Sequence, residues 1–141
     1  MNEVRAEVIL RLEAVTRTFD TVTAVDRLSL DVHRGEFLTL LGPSGCGKTT
    51  ALRLIAGFER PDGGEIRFRG ESVAGWSPQK REFGMVFQNY ALFPHLNVFE
   101  NVAFGLRARK VARGRVRERV TTALETVDLA GYGDRAVQAL S

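Results

Sequence analysis

The chain has 141 residues, of which 44% are apolar and 26% charged, a composition that is typical of globular domains and excludes a disordered chain. No apolar run is long enough to span a membrane. Four of the first twelve residues are charged, so we expect no signal peptide at the N-terminus. Cys46 is the single cysteine, which excludes an internal disulfide and fits a reducing compartment.

The first part of the sequence has the period-two pattern of β-strands. Apolar and charged residues alternate at 8–12, again at 28–32, and a third time at 66–68, where the pattern predicts an edge strand. Residues 37–41 and 83–87 are short, nearly continuous apolar runs. Such runs predict central strands that are buried on both faces.

Helical spacing follows in three segments, the second of which opens with Asn97 and Glu100 in the arrangement of a capping box. The positions predicted to share a helix face are Leu52, Ile55 and Ala56 in the first helix, Val98, Val102 and Leu106 in the second, and Val116, Val120, Leu124 and Val127 in the third. The order of elements is therefore strands and one helix first, and further helices later.

A strongly basic segment lies between Leu106 and Val120. Its positive residues are Arg107, Arg109, Lys110, Arg113, Arg115, Arg117 and Arg119. With Glu118 as the single negative residue, the segment has a net charge of +6 in a chain whose total is +3. We interpret it as a solvated helical face, with nucleic acid or anionic lipid headgroups as alternative partners. No aromatic residues interleave with these cations, which argues against single-stranded nucleic acid.

One segment matches the phosphate-binding pattern G-x-x-x-x-G-K-[ST]. Its residues are Gly42, Pro43, Ser44, Gly45, Cys46, Gly47, Lys48 and Thr49. Glycine lets the main chain approach phosphate oxygens closely, and the helix that follows directs free N–H groups and its positive dipole end at them. An apolar run precedes the segment and a helical pattern follows it, as the motif requires. The sequence therefore predicts that the chain binds ATP with Mg²⁺.

Each polar side chain of this loop has a predicted task. Lys48 is expected to reach the β- and γ-phosphates as a point charge, and the Thr49 hydroxyl to bind Mg²⁺. Thr50 is expected to add a donor near the α-phosphate. Cys46 is interpreted as a small residue that fills the loop, and not as a catalytic thiol.

With its flanking segments, the loop resembles the nucleotide-binding subunits of ABC transporters, most closely importer ATPases of the spermidine/putrescine, ferric-iron and sugar type. The resemblance covers essentially the whole chain. The phosphate loop alone indicates only a P-loop NTPase. The segments VFQNYALFPH at residues 86–95 and VFENVAFGL at residues 98–106 are specific for this importer group.

The resemblance implies an α/β P-loop NTPase fold of the ABC type. It would contain an N-terminal antiparallel β-subdomain, an incomplete RecA-like core and a partial α-helical subdomain. In these terms, residues 1–89 form the β-subdomain with the P-loop part of the core. Residues 90–141 form the partial helical subdomain of a single truncated nucleotide-binding domain.

Two further site residues are implied by position in the family pattern. Phe19 lies where the family places an aromatic ring that stacks on adenine, with burial in the core as the alternative. Gln88 matches the glutamine that contacts Mg²⁺ or the attacking water, with a plain polar role as the alternative. Phe93 and Phe99 are implied to dock onto a permease, or else to belong to the helical core.

The last residues, Ala139, Leu140 and Ser141, look like the start of the family's L-S-G-G-Q signature, and the sequence stops inside it. It contains no apolar strand that ends in an Asp–Glu pair, so the carboxylate that serves the family as general base has no counterpart. The resemblance therefore implies a truncated ATP-binding subunit. We expect this chain alone to bind ATP weakly and not to hydrolyse it.

In its full-length form, such a subunit would couple ATP binding and hydrolysis to solute uptake. Its expected partners are the transmembrane permease subunits and a second copy of itself, and no nucleic acid. Its expected place is cytoplasmic, on the inner face of the membrane. Two alternatives stay open: a non-transport ABC ATPase that acts on nucleic acid or ribosomes, favoured by the basic segment alone, and a regulatory ATP-binding fragment that caps a permease.

Overall fold

The computed structural model describes residues 7–140, which divide between Met85 and Val86 into two units with separate hydrophobic cores. Residues 1–6 and Ser141, the last residue of the signature-like end, lie outside the described part. No helix within residues 7–140 is both long and apolar enough to cross a membrane.

An antiparallel sheet forms most of the first unit. Its strands are β1 (Val8–Phe19), β2 (Val22–His33), β3 (Gly63–Phe68) and β4 (Glu71–Ser72), in the spatial order β2-β1-β3-β4. The alternating segments at 8–12, 28–32 and 66–68 therefore form strands as predicted. β3 is not an edge strand, however, because the short β4 pairs with it on the side away from β1.

Two helices complete this unit, α1 (Lys48–Ala56) and α2 (Pro78–Arg81). Leu54 of α1 is fully buried among residues of the sheet. The predicted face of α1 is partly wrong, because Leu52 is 48% exposed and Ala51 is buried in its place. The small Ala51 lies three positions before Leu54 and so shares its face.

The two central strands predicted at 37–41 and 83–87 are wrong, since both segments are irregular and lie outside the sheet. Phe37 is 94% exposed, Leu41 88% and Val86 91%. An extended segment becomes a strand only when a neighbouring strand takes up its N–H and C=O groups. An apolar run indicates burial, but it does not supply that neighbour.

The second unit contains α3 (Val98–Ala108), α4 (Arg113–Thr126) and a 3₁₀ helix (Val137–Leu140). Asn97 begins α3 as predicted, because its Oδ1 accepts a hydrogen bond from the main-chain N of Glu100 at 2.8 Å. The buried residues of this unit are Val98, Ala103, Val116, Val120, Leu124 and Val137.

Two predicted core positions of the second unit are wrong. Val102 is partly exposed and Ala103 is buried in its place, because α3 turns the side of Val98 and Ala103 toward α4. Val127 is exposed because α4 ends at Thr126, so the helical spacing no longer holds at the next residue.

Candidate nucleotide-binding site

The phosphate-binding pattern lies where an irregular segment enters α1. The helix begins at Lys48, and Gly47 precedes it in the left-handed region with φ 90°. Among the described residues no side chain caps this end of the helix, and its first turn carries no acidic residue. The first turn of a helix has N–H groups without helical partners and a positive dipole end. This end of α1 therefore offers donors to an anion, with no carboxylate in its own first turn.

Gly47 is required by a close contact with the main chain as well as by its backbone conformation, whereas Gly42 contacts a side chain. A Cβ on Gly47 would lie 2.0 Å from the carbonyl oxygen of Ala24, so the loop rests directly on β2. A Cβ on Gly42 would lie 2.6 Å from the Sγ of Cys46. Gly45 differs, because it has φ 82° but no atom within 4 Å of an added Cβ.

The Lys48 side chain folds back over the loop. Its Nζ donates hydrogen bonds to the carbonyl oxygens of Gly42 and Pro43, both at 2.7 Å, and lies 3.4 Å from the Sγ of Cys46. No carboxylate forms an ion pair with it in the described part of the chain. The ammonium therefore places its positive charge within the loop and has only neutral partners.

A cavity of about 290 Å³ lies beside the loop, between β2 and the start of α1. Asp26 and Leu28 line it from β2, and Cys46 and Lys48 line it from the loop and helix. Its volume is close to the lower end of small-molecule sites. Thr49 and Thr50 follow Lys48 in the first turn of α1, where Thr49 is exposed and Thr50 half-buried.

Phe19 lies at the end of β1 and is 39% exposed, so its ring is at the surface and not in the hydrophobic core. The guanidinium of Arg17 lies 4.5 Å from the ring centroid. Arg17 is held in turn by Glu59 and Asp62, at 3.2 and 2.8 Å. Gln88 belongs to the second unit, where it is exposed in an irregular turn.

Asp62 ties the end of β1 to the segment before β3. One carboxylate oxygen accepts from the main-chain N of Thr18 at 2.7 Å, and the other accepts from Arg17 at 2.8 Å. The hydrogen bond from Thr18, and then that from Arg17, lower the pKa of Asp62 from its usual value. Folding therefore favours the ionised carboxylate of Asp62 over its protonated form.

Arg81 stabilises the opposite end of α1 and was not predicted from the sequence. It is 2% exposed, and its guanidinium donates to the carbonyl oxygens of Leu54, Ile55 and Trp76. Burial lowers the pKa of Arg81 from its usual value. Arginine is mostly exposed in proteins. Arg81 is the last residue of α2, and no local pattern indicates that two of its partners lie 26 and 27 residues earlier in α1.

Asn101 organises the segment before α3 in the second unit and was likewise not predicted. Its Oδ1 accepts from the main-chain N of Phe93 at 2.8 Å. Its Nδ2 donates to the carbonyl oxygens of Phe93, Leu96 and Asn97 at 3.1, 3.2 and 2.9 Å. The Phe93 ring lies 4.4 Å from that of Phe104, and both rings are at least partly exposed.

The sequence of this chain is similar to one known family and to proteins of known name. The family model described as "ABC transporter" matches residues 25–141. A spermidine/putrescine import ATP-binding protein PotA of Acetivibrio thermocellus is 54% identical over 134 residues, which is 95% of this chain and 38% of the relative. The protein of the same name from Rubrobacter xylanophilus is 55% identical over 134 residues, 95% of this chain and 36% of the relative. The chain thus spans less than two fifths of the length of these two relatives.

Two solved structures share the fold. One is the ATP-binding cassette MJ0796 in a dimeric, post-hydrolysis state bound to ADP and Pi, and the other is a dimeric structure of MJ0796, described as a bacterial ABC transporter cassette. Each superposes with a TM-score of 0.84 at 26% sequence identity and covers 94% of this chain and 63% of that structure's chain. The fold class predicted from the sequence is confirmed.

Proposed function

The chain belongs to the ABC transporter family, and from that premise we propose that it is the ATP-binding component of an ABC-type importer. The observation that carries the proposal is the loop ahead of α1. Gly47 brings that loop against β2, and Lys48 places an ammonium within it. The import function is named in both PotA relatives, whose sequences match nearly the whole of this chain.

The residues of the loop fit a triphosphate. Its main-chain N–H groups and the uncapped start of α1 would bind phosphate oxygens, with Lys48 at the β- and γ-phosphates. The Thr49 hydroxyl would hold Mg²⁺, and Thr50 would donate near the α-phosphate. The nucleotide supplies the phosphoanhydride bond, and the metal ion neutralises charge on its oxygens. The absence of an acidic residue from the first turn of α1 and the exposure of Thr49 support this assignment.

Two residues outside the loop complete the proposed site. Phe19 would stack on the adenine, which its surface position at the end of β1 permits. Gln88 would contact Mg²⁺ or the attacking water, since its amide both donates and accepts hydrogen bonds. Its exposure in the second unit is compatible with that role.

We also propose that the chain works with transmembrane permease subunits and with a second copy of itself, on the cytoplasmic face of the membrane. Support for a dimer comes from the MJ0796 structures, which are described as dimeric. Support for the permease contact comes from the half-buried Phe93, whose main chain Asn101 holds and whose ring contacts the exposed ring of Phe104. Phe99 packs against the core of the second unit, which favours its alternative role as a core residue.

For the 141-residue chain by itself, we propose weak ATP binding without turnover. Hydrolysis needs a carboxylate that accepts a proton from the attacking water. The sequence has no apolar strand followed by an Asp–Glu pair.

The test is equilibrium binding of ATP to the 141-residue chain with and without Mg²⁺, followed by a phosphate-release assay. Lys48→Ala should weaken ATP binding at least tenfold, because the single cation of the loop is removed. Lys110→Ala, which removes an exposed lysine of the second unit, is the matched control and should bind as the unmodified chain does. Equal ATP affinity in the Lys48 variant would refute the proposed site. Lys48-dependent phosphate release would refute the absence of turnover and leave the site in place.

A further inference from the structure

Seven cations gather where α3 passes into α4, and they are called the basic corner below. They are Arg107, Arg109, Lys110, Arg113, Arg115, Arg117 and Arg119. All seven are exposed, and with Glu118 among them the segment has a net charge of +6. Because the whole chain has a net charge of +3, the remaining residues are net negative. The positive character of the chain is therefore concentrated in one place.

The cations of the basic corner lack internal counter-charges. In the described part of the chain, none of them lies within ion-pair distance of a carboxylate. Arginines of the first unit behave differently. Arg11 pairs with Asp31, Arg34 with Glu7, and Arg67 with both Glu13 and Glu65. Arg117 lines a cavity with Glu125 and Asp134, but without an ion pair to either. The exposed charge of the basic corner is thus compensated by no ion pair in the described residues, which favours an anionic partner.

The backbone of the basic corner is well fixed. The N of Lys110 donates to the carbonyl of Arg107 at 2.9 Å, and the N of Val111 donates to that of Leu106 at 3.1 Å. Val111 also packs against the hydrophobic core of the second unit. The side chains therefore extend from an ordered connection, and the backbone that carries them does not have to be organised when a partner binds.

The positive charges of the basic corner destabilise α4 when no anionic partner is bound. Arg113 and Arg117 are four residues apart, as are Arg115 and Arg119, and like charges at this spacing repel each other on a helix. The first turn of α4 carries no acidic residue and no side-chain cap. Positive side chains at that end also oppose the helix dipole. An external anion would relieve both effects.

The chemistry of the basic corner favours a lipid surface over a nucleic acid. No aromatic residue lies between Arg107 and Arg119, so no ring is available to stack on bases. Helical spacing places Arg115 and Arg117 about 160° apart around α4, so the cations spread around this end of the helix and do not follow one line. Laterally mobile headgroups can gather around such an end, whereas a nucleic-acid backbone runs along a groove or stripe of charge.

From these observations we propose that the basic corner binds anionic phospholipid headgroups directly. The proposed contact uses none of the residues assigned above to the nucleotide site or to the permease contact. It goes beyond the proposed import function, because it requires neither ATP nor a protein partner. Clusters of four to eight Lys and Arg residues near a membrane surface bind anionic lipids in this way.

The test is sedimentation of the 141-residue chain with vesicles, without nucleotide or permease. One vesicle population contains phosphatidylglycerol and phosphatidylcholine in equal amounts, and the other contains phosphatidylcholine alone. The chain should bind the first population and not the second, and added salt should weaken binding because it screens exposed charges. The triple substitution Arg113→Gln, Arg115→Gln and Arg117→Gln should lower vesicle affinity on the order of a hundredfold, at roughly fivefold per cation.

A matched control removes the same net charge elsewhere. Arg27→Gln, Arg53→Gln and Arg60→Gln replace three exposed arginines of the first unit and should change vesicle affinity by less than about threefold. Circular dichroism should show α4 intact in the corner variant, since glutamine favours helix. Equal losses in both triple variants, or no loss in the corner variant, would overturn the proposal. Tighter, corner-dependent binding to an RNA oligonucleotide than to the anionic vesicles would also overturn it, in favour of nucleic acid.

Discussion

The Nη1 of Arg81 lies 2.7 Å from the carbonyl oxygen of Leu54, 27 residues earlier in the chain. Leu54 lies in the last turn of α1, where main-chain carbonyls have no partner within the helix. The positive guanidinium also complements the negative end of the helix dipole. Arg81 therefore stabilises α1 from the end opposite to the phosphate loop.

Replacing Arg81 with methionine should lower the free energy of unfolding of the first unit by about 2–3 kcal/mol. Methionine fills much of the same space but removes the donor to the carbonyl of Ile55 and leaves that of Leu54 with the main-chain N of Gly57 alone, at 3.3 Å. Urea unfolding followed by circular dichroism measures the change. Arg60→Met, at an exposed position, is the control and should stay within about 0.5 kcal/mol. Similar losses in the two variants would contradict the capping role.

Gly57 should tolerate alanine less well than Gly70, although the two share nearly the same φ, 84° and 83°. Both substitutions force a side chain into the left-handed region, at about 1 kcal/mol each. A Cβ on Gly57 would also lie 2.7 Å from the Nε of Arg81, whereas Gly70 has no atom within 4 Å. Gly57→Ala should therefore cost about 1–2 kcal/mol more in urea unfolding. In an Arg81→Ala background that excess should vanish, and its persistence would place the strain elsewhere.

Gly47→Ala should disrupt the seating of the phosphate loop, because the new Cβ would meet the carbonyl oxygen of Ala24 on β2. A main-chain atom of a paired strand cannot move aside cheaply, so we expect a loss of at least about 2 kcal/mol in stability. Gly45→Ala is the comparison within the same loop, with a loss of about 1 kcal/mol from its φ alone. Thermal unfolding of both variants without nucleotide separates the cost of the contact with Ala24 from the cost of a side chain in the left-handed region. Equal midpoints would show that the loop does not rest on β2.

Asn101→Ala should destabilise the second unit by about 2–3 kcal/mol, because four main-chain groups lose hydrogen bonds to one amide. Gln138→Ala removes one exposed hydrogen bond to the carbonyl of Pro94 and should cost less than about 1 kcal/mol. Hydrogen exchange at the N of Phe93 gives a local measurement. That amide should exchange faster in the Asn101 variant and unchanged in the Gln138 variant.

The first unit should lose stability in acid. Hydrogen bonds from Arg34, Arg11, His33 and Thr18 are the largest causes that lower the pKa values of Glu7, Asp31, Glu36 and Asp62, respectively. A carboxyl whose folded pKa lies below its unfolded value adds stability that is complete above the unfolded pKa, near 4. That stability is lost as the pH falls through the folded pKa.

Asp62→Asn removes one of these carboxylates and should lower the free energy of unfolding at neutral pH. In the acid range, that free energy should then fall less steeply with decreasing pH than it does in the unmodified chain. Urea midpoints measured across the acid range provide the test. Asp26→Asn is the control, because that exposed carboxylate contacts Arg27 only at 3.7 Å. If stability falls as steeply with decreasing pH in the Asp62 variant as in the unmodified chain, Asp62 does not contribute to the loss of stability in acid.

Sequence patterns correctly predicted the strands and the loop whose structure depends on neighbouring residues in the chain. The alternating residues of β1 and β2 face one core, and the glycine-rich loop before α1 is specified by its own backbone requirements. Residues 37–41 and 83–87 failed as strands because pairing depends on a neighbour, which no single segment encodes. On α1 and α3, small alanines occupy core positions that larger neighbours appeared to hold, because packing depends on the space between elements.

The residues that hold the elements together were the ones missed. Arg81 binds carbonyls in another helix, and Asn101 binds a segment that precedes its own helix. Both have polar side chains at positions where periodicity predicts nothing. Their roles arise from unpaired main-chain groups at element ends, which become visible only when the ends meet.

The hydrogen bonds from Lys48 to Gly42 and Pro43 set a limit on how strongly any phosphate can bind. The ammonium has three N–H donors and these carbonyls accept from two of them, so a phosphate that takes more than the third donor must displace a carbonyl acceptor. The measured affinity then reports an exchange of partners, and not the full strength of a lysine–phosphate contact. In return, the loop holds its shape between binding events, so part of the ordering cost is met before the nucleotide arrives.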